Sequence, residues 1–145
     1  MIDLATLMST ELVTIRPQDN LALARQLMHD KQIHHLPVVD DAGDLAGLVT
    51  LSNLLAATDS TLRPDDDRIH AADIVVQDIM VTELATIDEH AGVRDAAMFL
   101  EKYRIGCLPV VTDGKLRGII TDTDFVGIAI NLLEQLEANE PDDDF

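Results

Sequence analysis

The sequence contains no Trp, one Tyr, three Phe and a single cysteine, Cys107. One cysteine excludes a disulfide within the chain and is compatible with a reducing compartment. Because aromatic side chains are few, the hydrophobic share of 47% predicts an aliphatic core of Leu, Ile, Val and Ala. No apolar run approaches the roughly 18 residues needed to cross a membrane, and residues 1–4 do not resemble a secretory signal. We therefore expect a soluble, cytoplasmic protein.

Basic residues are also scarce. Lys and Arg number 10 against 27 Asp and Glu, a formal net charge of −17. Such a charge disfavours nucleic acids and anionic membranes as partners, since binding either depends on phosphate neutralisation. The acidic runs at 65–67 and 142–144 lack the alternating ligand spacing of a calcium loop. The sequence predicts a solvated acidic surface and no metal site.

Signs of catalysis are missing as well. No nucleophile and base occur at a recognisable spacing, and no glycine-rich phosphate loop carries its lysine. Cys107 follows Gly106 next to an apolar Leu-Pro-Val-Val run, which favours a packed or cleft-edge side chain over a reactive thiol. We predict a protein that is not an enzyme and requires no cofactor.

One stretch, residues 118–125 (GIITDTDF), combines an apolar strand with the start of a helix. Asp122 and Asp124 are candidates for the helix N-cap. Exposed amides at a helix start favour anions, and a neighbouring carboxylate could accept both hydroxyls of a ribose. The same residues also cap helices for structural reasons alone.

The chain carries this pattern twice. Residues 47–54 (GLVTLSNL) match 118–125, residues 7–15 match 79–87, and 33–39 (IHHLPVV) match 105–111 (IGCLPVV). The register between the copies is constant apart from one residue lost in a turn. We conclude that the sequence contains an internal duplication.

Each copy reads as a β-α-β-β-α unit. In the first copy we predict strands at 12–15, 36–39 and 45–50, a helix capped by Asp19 or Asn20, and a second helix from Ser52 or Asn53. In the second copy we predict strands at 84–87, 108–111 and 116–121, and helices at 92–103 and from 123 to about 139. The predicted organisation is repeat 1 at 1–58, a linker at 59–73, repeat 2 at 74–130, and a C-terminal helix extension with an acidic tail at 131–145.

These motifs, in this order, resemble a tandem pair of CBS domains, known as a Bateman module. The resemblance covers roughly residues 2–130. It implies an α/β (α+β) fold in which the two repeats pack about a pseudo-twofold axis, with sheets flanked by helices. It also implies a homodimer and two clefts between the repeats that can hold adenosine compounds.

By resemblance, one cleft joins the end of repeat 2 to the start of repeat 1. Asp124 would hold the ribose hydroxyls, Thr121 and Thr123 would face ribose and phosphate, and Ile119 would line the base pocket. From repeat 1, Thr10, Val13 and Ile33 would contact the base. His34 would contact the phosphates, with His35 beside it. Alternatively, Asp124 is only a helix cap, and the two histidines contact no ligand.

The mirror cleft is expected to bind weakly or stay empty, because Asn53 replaces the carboxylate and Gly106 and Cys107 replace the histidines. Its expected lining is Asn53, Ser52, Thr50, Leu48, Thr82, Ala85 and Ile105.

Two functions remain open from the sequence, with a metal or polyamine sensor that uses the acidic surface as a remote third. The first is a regulatory module that senses AMP, ADP, ATP, S-adenosylmethionine or another adenosyl compound and controls an unknown effector protein. The second is a ligand-free dimerisation or assembly module with vestigial clefts.

Overall fold

The structure is a computed structural model that describes residues 3–58 and 71–139. Repeat 1 consists of α1 (Leu4–Leu7), α2 (Leu21–Lys31), β1 (His35–Val39), β2 (Leu45–Thr50) and α3 (Leu51–Thr58). Repeat 2 begins with two 3-10 turns (Ala71–Asp73 and Val76–Asp78), followed by α4 (Val93–Tyr103), β3 (Cys107–Thr112), β4 (Lys115–Thr121) and α5 (Asp122–Asn139). The strands of each repeat form an antiparallel hairpin. The predicted mixed fold is confirmed.

Local signals place most of the helix ends. Asn20 is the N-cap of α2, and its Oδ1 accepts a hydrogen bond from the amide of Leu23 at 2.9 Å. Helices α2 and α4 both end in a left-handed residue, Gln32 and Arg104. Most of the predicted linker (59–70) and the acidic tail (140–145) lie outside the described residues, so the domain boundaries stay a prediction.

The predicted strands at 12–15 and 84–87 are wrong as strands. Each is reduced to one residue, Ile15 or Ile87, that bridges in parallel to Val38 or Val110. The chain turns on both sides of Ile15, because the amide of Leu12 donates to Thr10 O and that of Asp19 to Arg16 O. A segment between two turns is too short to form a ladder.

Each repeat has its own apolar cluster, and each cluster borrows a residue from the other repeat. Val76, from the start of repeat 2, is fully buried among the core residues of repeat 1. Leu4, from the start of repeat 1, is fully buried in the core of repeat 2. The leading segments of the repeats, residues 3–8 and 74–80, are thus exchanged, which joins the two halves through their cores.

The contacts between the repeats are reciprocal. Ser9 pairs with Ile119, and the counterparts of these residues, Val81 and Leu48, pair with each other. The two hairpin turns meet where Asp44 bridges Lys115, whose Nζ lies 2.9 Å from Asp44 Oδ1. These paired contacts are what a pseudo-twofold axis between the repeats requires.

Candidate functional site

The junction of β4 and α5 is closed by a ring of hydrogen bonds. The amide of Thr121 donates to Asp124 Oδ2 at 2.9 Å, and the amide of Asp124 donates to Thr121 Oγ1 at 3.3 Å. Asp124 is half-buried in the first turn of α5, and through these reciprocal bonds with Thr121 it helps to cap the helix. The Oδ1 atom accepts no hydrogen bond from the described residues, which leaves one carboxylate oxygen for a ligand.

The junction of β2 and α3 repeats this ring with an amide. Thr50 donates to Asn53 Oδ1 from its amide at 3.3 Å and from its hydroxyl at 2.7 Å, and the amide of Asn53 donates to Thr50 Oγ1 at 3.1 Å. Because the Thr50 hydroxyl points into the ring, the Asn53 oxygen has less capacity for a ligand than the Asp124 carboxylate.

A cleft of about 620 Å³ opens beside the β4–α5 junction, and we call it the first cleft. Its wall combines residues from the start of repeat 1, from the α2–β1 connection and from the end of β4. The lining residues are Ser9, Glu11, Leu12, Val13, Gln32, Ile33, His34, His35, Ile119, Thr121, Asp122 and Thr123. The volume is within the ordinary range for small-molecule sites.

Most of the residues predicted for this cleft do meet there. Seven lie in its wall: Val13, Ile33, His34, His35, Ile119, Thr121 and Thr123. Thr10 and Asp124 are not part of the lining: Thr10 is exposed, and Asp124 is half-buried and bonded to the Thr121 amide. What each residue binds stays a prediction.

Two charged lining residues, Glu11 and Asp122, were missed from sequence. Glu11 is adjacent to the predicted Thr10, and Asp122 stands between the predicted Thr121 and Thr123. Their positions inside the motifs were the available signal, but motif positions do not say which side chains face the cavity.

The backbone edges of the cleft differ in what they can offer a base. The amide and carbonyl of Ile119 both pair with Ser9, at 3.2 and 3.0 Å, so Ile119 contributes its side chain alone. The backbone of Val13 makes no hydrogen bond within the described part of the chain. The amide and carbonyl of Val13 are therefore available for a hydrogen bond with a ligand.

The two histidines occupy different environments. His34 is exposed, and its carbonyl accepts a hydrogen bond from the amide of Leu51 at 2.9 Å, which fixes its backbone. His35 is half-buried. Burial lowers the pKa of His35 below its ordinary value, the Asp122 carboxylate opposes that shift, and His34 adds to it. His35 is thus held mainly in its neutral form.

Cys107, the counterpart of His35, is buried at the start of β3. Burial, with the nearby carboxylates of Asp124 and Asp122, raises the pKa of its thiol to about 12. A thiol held protonated is a poor nucleophile, in keeping with the predicted packed role.

The residues predicted for the mirror cleft are spread over different surroundings. Leu48 is buried in its pairing with Val81, Thr50, Asn53 and Ala85 are half-buried, and Ser52 and Thr82 are exposed. Ile105 lines another cavity, a groove of about 580 Å³ between α4 and α5 that also holds Arg104, Asp122, Phe125 and Val126.

Among the described residues, no helix is both long and apolar enough to span a bilayer. Within the same residues, no three His, Cys, Asp or Glu side chains are grouped as metal ligands would be.

The fold and its duplicated junctions define a pair of small repeats, each with a core completed by a residue of the other. The CBS domain family model matches residues 3–60 and again 76–131. The chain therefore belongs to the CBS domain family, as a tandem pair, and the resemblance inferred from sequence is confirmed.

Individual relatives match most of this chain. A CBS domain-containing protein of Dictyostelium discoideum is 36% identical over 132 residues, covering 88% of this chain and 91% of that protein. The crystal structure of a Vibrio cholerae protein named for acetoin utilization (AcuB) is 38% identical, with a TM-score of 0.80, and the match covers 97% of this chain and 99% of the other.

A further structure, of the protein CBSX2 in complex with AMP, is 28% identical with a TM-score of 0.77, covering 92% of this chain and 99% of that one. Several other relatives are longer, and the chain spans 21 to 40% of their length.

Proposed function

We propose that this protein is a regulatory module that binds an adenosine compound in the first cleft and transmits its presence to a partner protein. The observation that carries the proposal is the first cleft itself. It joins an apolar wall to a hydroxyl and carboxylate motif contributed by the opposite repeat. A relative of the same fold and 28% identity, CBSX2, has been crystallised with AMP.

The chemistry of the cleft suits adenosine. Val13, Ile33 and Ile119 offer apolar contact to the base, and the free backbone of Val13 offers a donor and an acceptor to its edge. Asp124 Oδ1 accepts no hydrogen bond from the described residues. It therefore offers an acceptor to a ribose hydroxyl that extends past Thr121.

Signal transmission follows from the position of the cleft between the repeats. A ligand that touches Val13 and Ile119 at once favours one relative arrangement of the two halves, since it contacts both. A partner that prefers the same arrangement is then coupled to the ligand through differential affinity. The identity of this effector protein and the cytoplasmic location stay predictions.

The test is isothermal titration of the purified, ligand-free chain with AMP, ADP, ATP, S-adenosylmethionine and NAD. We expect at least one to bind at micromolar Kd, about 8 kcal/mol, with about one site per chain. Asp124→Ala should abolish binding. Because this substitution also removes a cap worth about 1 kcal/mol, Asn53→Ala is the matched control: it removes the equivalent cap and should keep the binding.

Absence of binding by every ligand, from folded protein, would favour the second function, a ligand-free assembly module. That function has its own support in α5, an 18-residue helix without a buried residue. Val126, Ile130, Leu133 and Leu136 are each more than half exposed. Isolated soluble surfaces rarely present such a contiguous apolar stripe.

We propose that a second copy of the chain covers this stripe, which gives a homodimer. Light scattering after size-exclusion chromatography should return twice the mass of 15.9 kDa. Ile130→Lys should give a monomer, whereas Leu23→Lys, at an exposed apolar residue of α2, should leave the dimer intact. A monomeric wild-type protein would contradict the homodimer.

A further inference from the structure

The charges that line the first cleft are mostly of one sign. Glu11 and Asp122 contribute carboxylates, and the lining residues that the structure describes include no Lys or Arg. His34 and His35 are the remaining ionisable groups in the wall. The whole chain adds to this field, with a net charge of −17.

The start of α5, which could otherwise attract an anion, is already occupied by the chain's own carboxylates. The amide of Thr123 donates to Asp122 Oδ1 at 2.9 Å, and the amide of Thr121 donates to Asp124 Oδ2 at the same distance. These contacts offset the positive end of the helix dipole. A phosphate placed here would compete with two carboxylates for the same donors.

The two histidines of the first cleft offset little of this negative charge. Burial lowers the pKa of His35 and so favours its neutral form, and the Asp122 carboxylate opposes this shift. Both groups lie close to Gly106: a Cβ placed there would be 3.4 Å from the His35 ring and 3.7 Å from Asp122 Oδ2. Arg104 lies in the adjoining groove, and no ion pair joins it to Asp122 among the described residues. His34 alone is exposed and free to meet an anion.

We infer that the first cleft selects adenosine compounds whose 5′ substituent is neutral or cationic, and discriminates against nucleoside polyphosphates. The inference rests on the proposed function and names its ligand class. Asp122 and Glu11 are the specificity-determining residues. Their carboxylates repel each added phosphate charge. They attract a sulfonium, and they neither attract nor repel an uncharged thioether.

The test is a matched ligand series titrated into the full chain at low salt. The series is 5′-methylthioadenosine (neutral), S-adenosylmethionine (cationic at sulfur), AMP, ADP and ATP, with ATP measured both in EDTA and with Mg²⁺. We expect the neutral and cationic compounds to bind at least about tenfold more tightly than ATP, about 1.4 kcal/mol. The gap should narrow as salt is raised to 0.5 M, because ions screen the carboxylates.

Two variants assign the effect to residues. Asp122→Asn keeps an oxygen for the Thr123 amide, and Glu11→Gln keeps the shape of an exposed side chain. Each should strengthen ATP binding several-fold and weaken S-adenosylmethionine binding, with 5′-methylthioadenosine nearly unchanged. Glu83→Gln, at the counterpart of Glu11 in repeat 2, is the control and should change none of them.

ATP binding more tightly than the neutral compound, with or without Mg²⁺, would overturn the inference and leave the proposed function standing. Equal affinities across the series, unchanged in Asp122→Asn, would overturn it as well. If no adenosine compound binds, the proposed function itself fails.

Discussion

The two strand-to-helix junctions of this molecule share two hydrogen bonds and differ in charge and in a third bond, which the Thr50 hydroxyl donates to Asn53. Thr121 with Asp124, and Thr50 with Asn53, close the same ring between a strand end and the first turn of a helix. An amide completes the ring as a carboxylate does, so the ring forms with or without a charge. A motif of this type therefore identifies the junction and does not by itself establish a ligand site.

Those surroundings diverge between the repeats. The first cleft has His34 and His35 where the second repeat has Gly106 and Cys107, and it has Asp122 where the first repeat has Leu51. The polar groups are thus concentrated on one side of the pseudo-twofold axis. The two junctions keep the same ring of hydrogen bonds although the side chains around them differ.

The largest effect that would test this comparison comes from the exchanged core residues. Leu4→Ala should lower the free energy of unfolding by about 2 to 5 kcal/mol, since it leaves a cavity in the core of repeat 2. Val76→Ala, its counterpart, removes fewer carbon atoms and should cost less. Urea unfolding should show one transition in each variant, because each substitution affects a core shared by both repeats. Two separated transitions would show that the repeats are independent.

A second pair of substitutions separates stability from binding. An added Cβ at Gly118 would lie 2.6 Å from Met8 Sδ and 3.0 Å from Ser9 O, and one at Gly47 would lie 2.7 Å from Met80 Sδ and 2.9 Å from Val81 O. Both Gly→Ala changes should therefore cost about 1 to 3 kcal/mol.

Only Gly118→Ala should also weaken adenosine-compound binding, because Ser9 lines the first cleft and Val81 does not. Thermal unfolding and titration of both variants give the two readouts. Equal loss of binding in the Gly47→Ala variant would contradict the assignment of the ligand to the first cleft.

Exchange of the acceptor residues isolates the role of charge. Asp124→Asn copies repeat 1 and keeps the acceptor for the Thr121 amide, so Tm should change little. Affinity for the ligand should fall by about tenfold, about 1.4 kcal/mol, as the charge that strengthens the ribose hydrogen bond is lost. Asn53→Asp serves as the reverse exchange and should leave affinity at the first cleft unaltered. An unchanged Kd in Asp124→Asn would reduce Asp124 to a cap.

The smallest expected effect concerns pH. The pKa of His35 is lowered in the fold, so the unfolded chain binds its proton more readily and stability rises with pH through this window. His35 therefore favours folding above the ordinary histidine value of about 6.5, and this contribution is lost as the pH falls below it. His35→Gln should therefore make Tm decline less between about pH 7 and pH 5. His29 is exposed, so the same change in a His29→Gln variant would show that burial of His35 is not the cause of the pH dependence.

Sequence reasoning recovered what depends on local signals. The bounds of β2 are those predicted, and α2 starts after Asn20, one of the two predicted caps. Both features depend on residues that are close together in the sequence. The strands at 12–15 and 84–87 were wrong because only Ile15 and Ile87 bridge to a strand, and the chain turns on both sides of Ile15. Glu11 and Asp122 were missed in the cleft because which side chains face a cavity depends on how the repeats meet.

The exchange of leading segments has a consequence for how the chain can be divided. Repeat 1 cut away from repeat 2 would lose Val76 from its core, and repeat 2 alone would lose Leu4. Two separate copies of a repeat would have to associate to restore such contacts, so their stability would depend on protein concentration. Because both repeats stand in one chain, the exchange is intramolecular and does not depend on concentration.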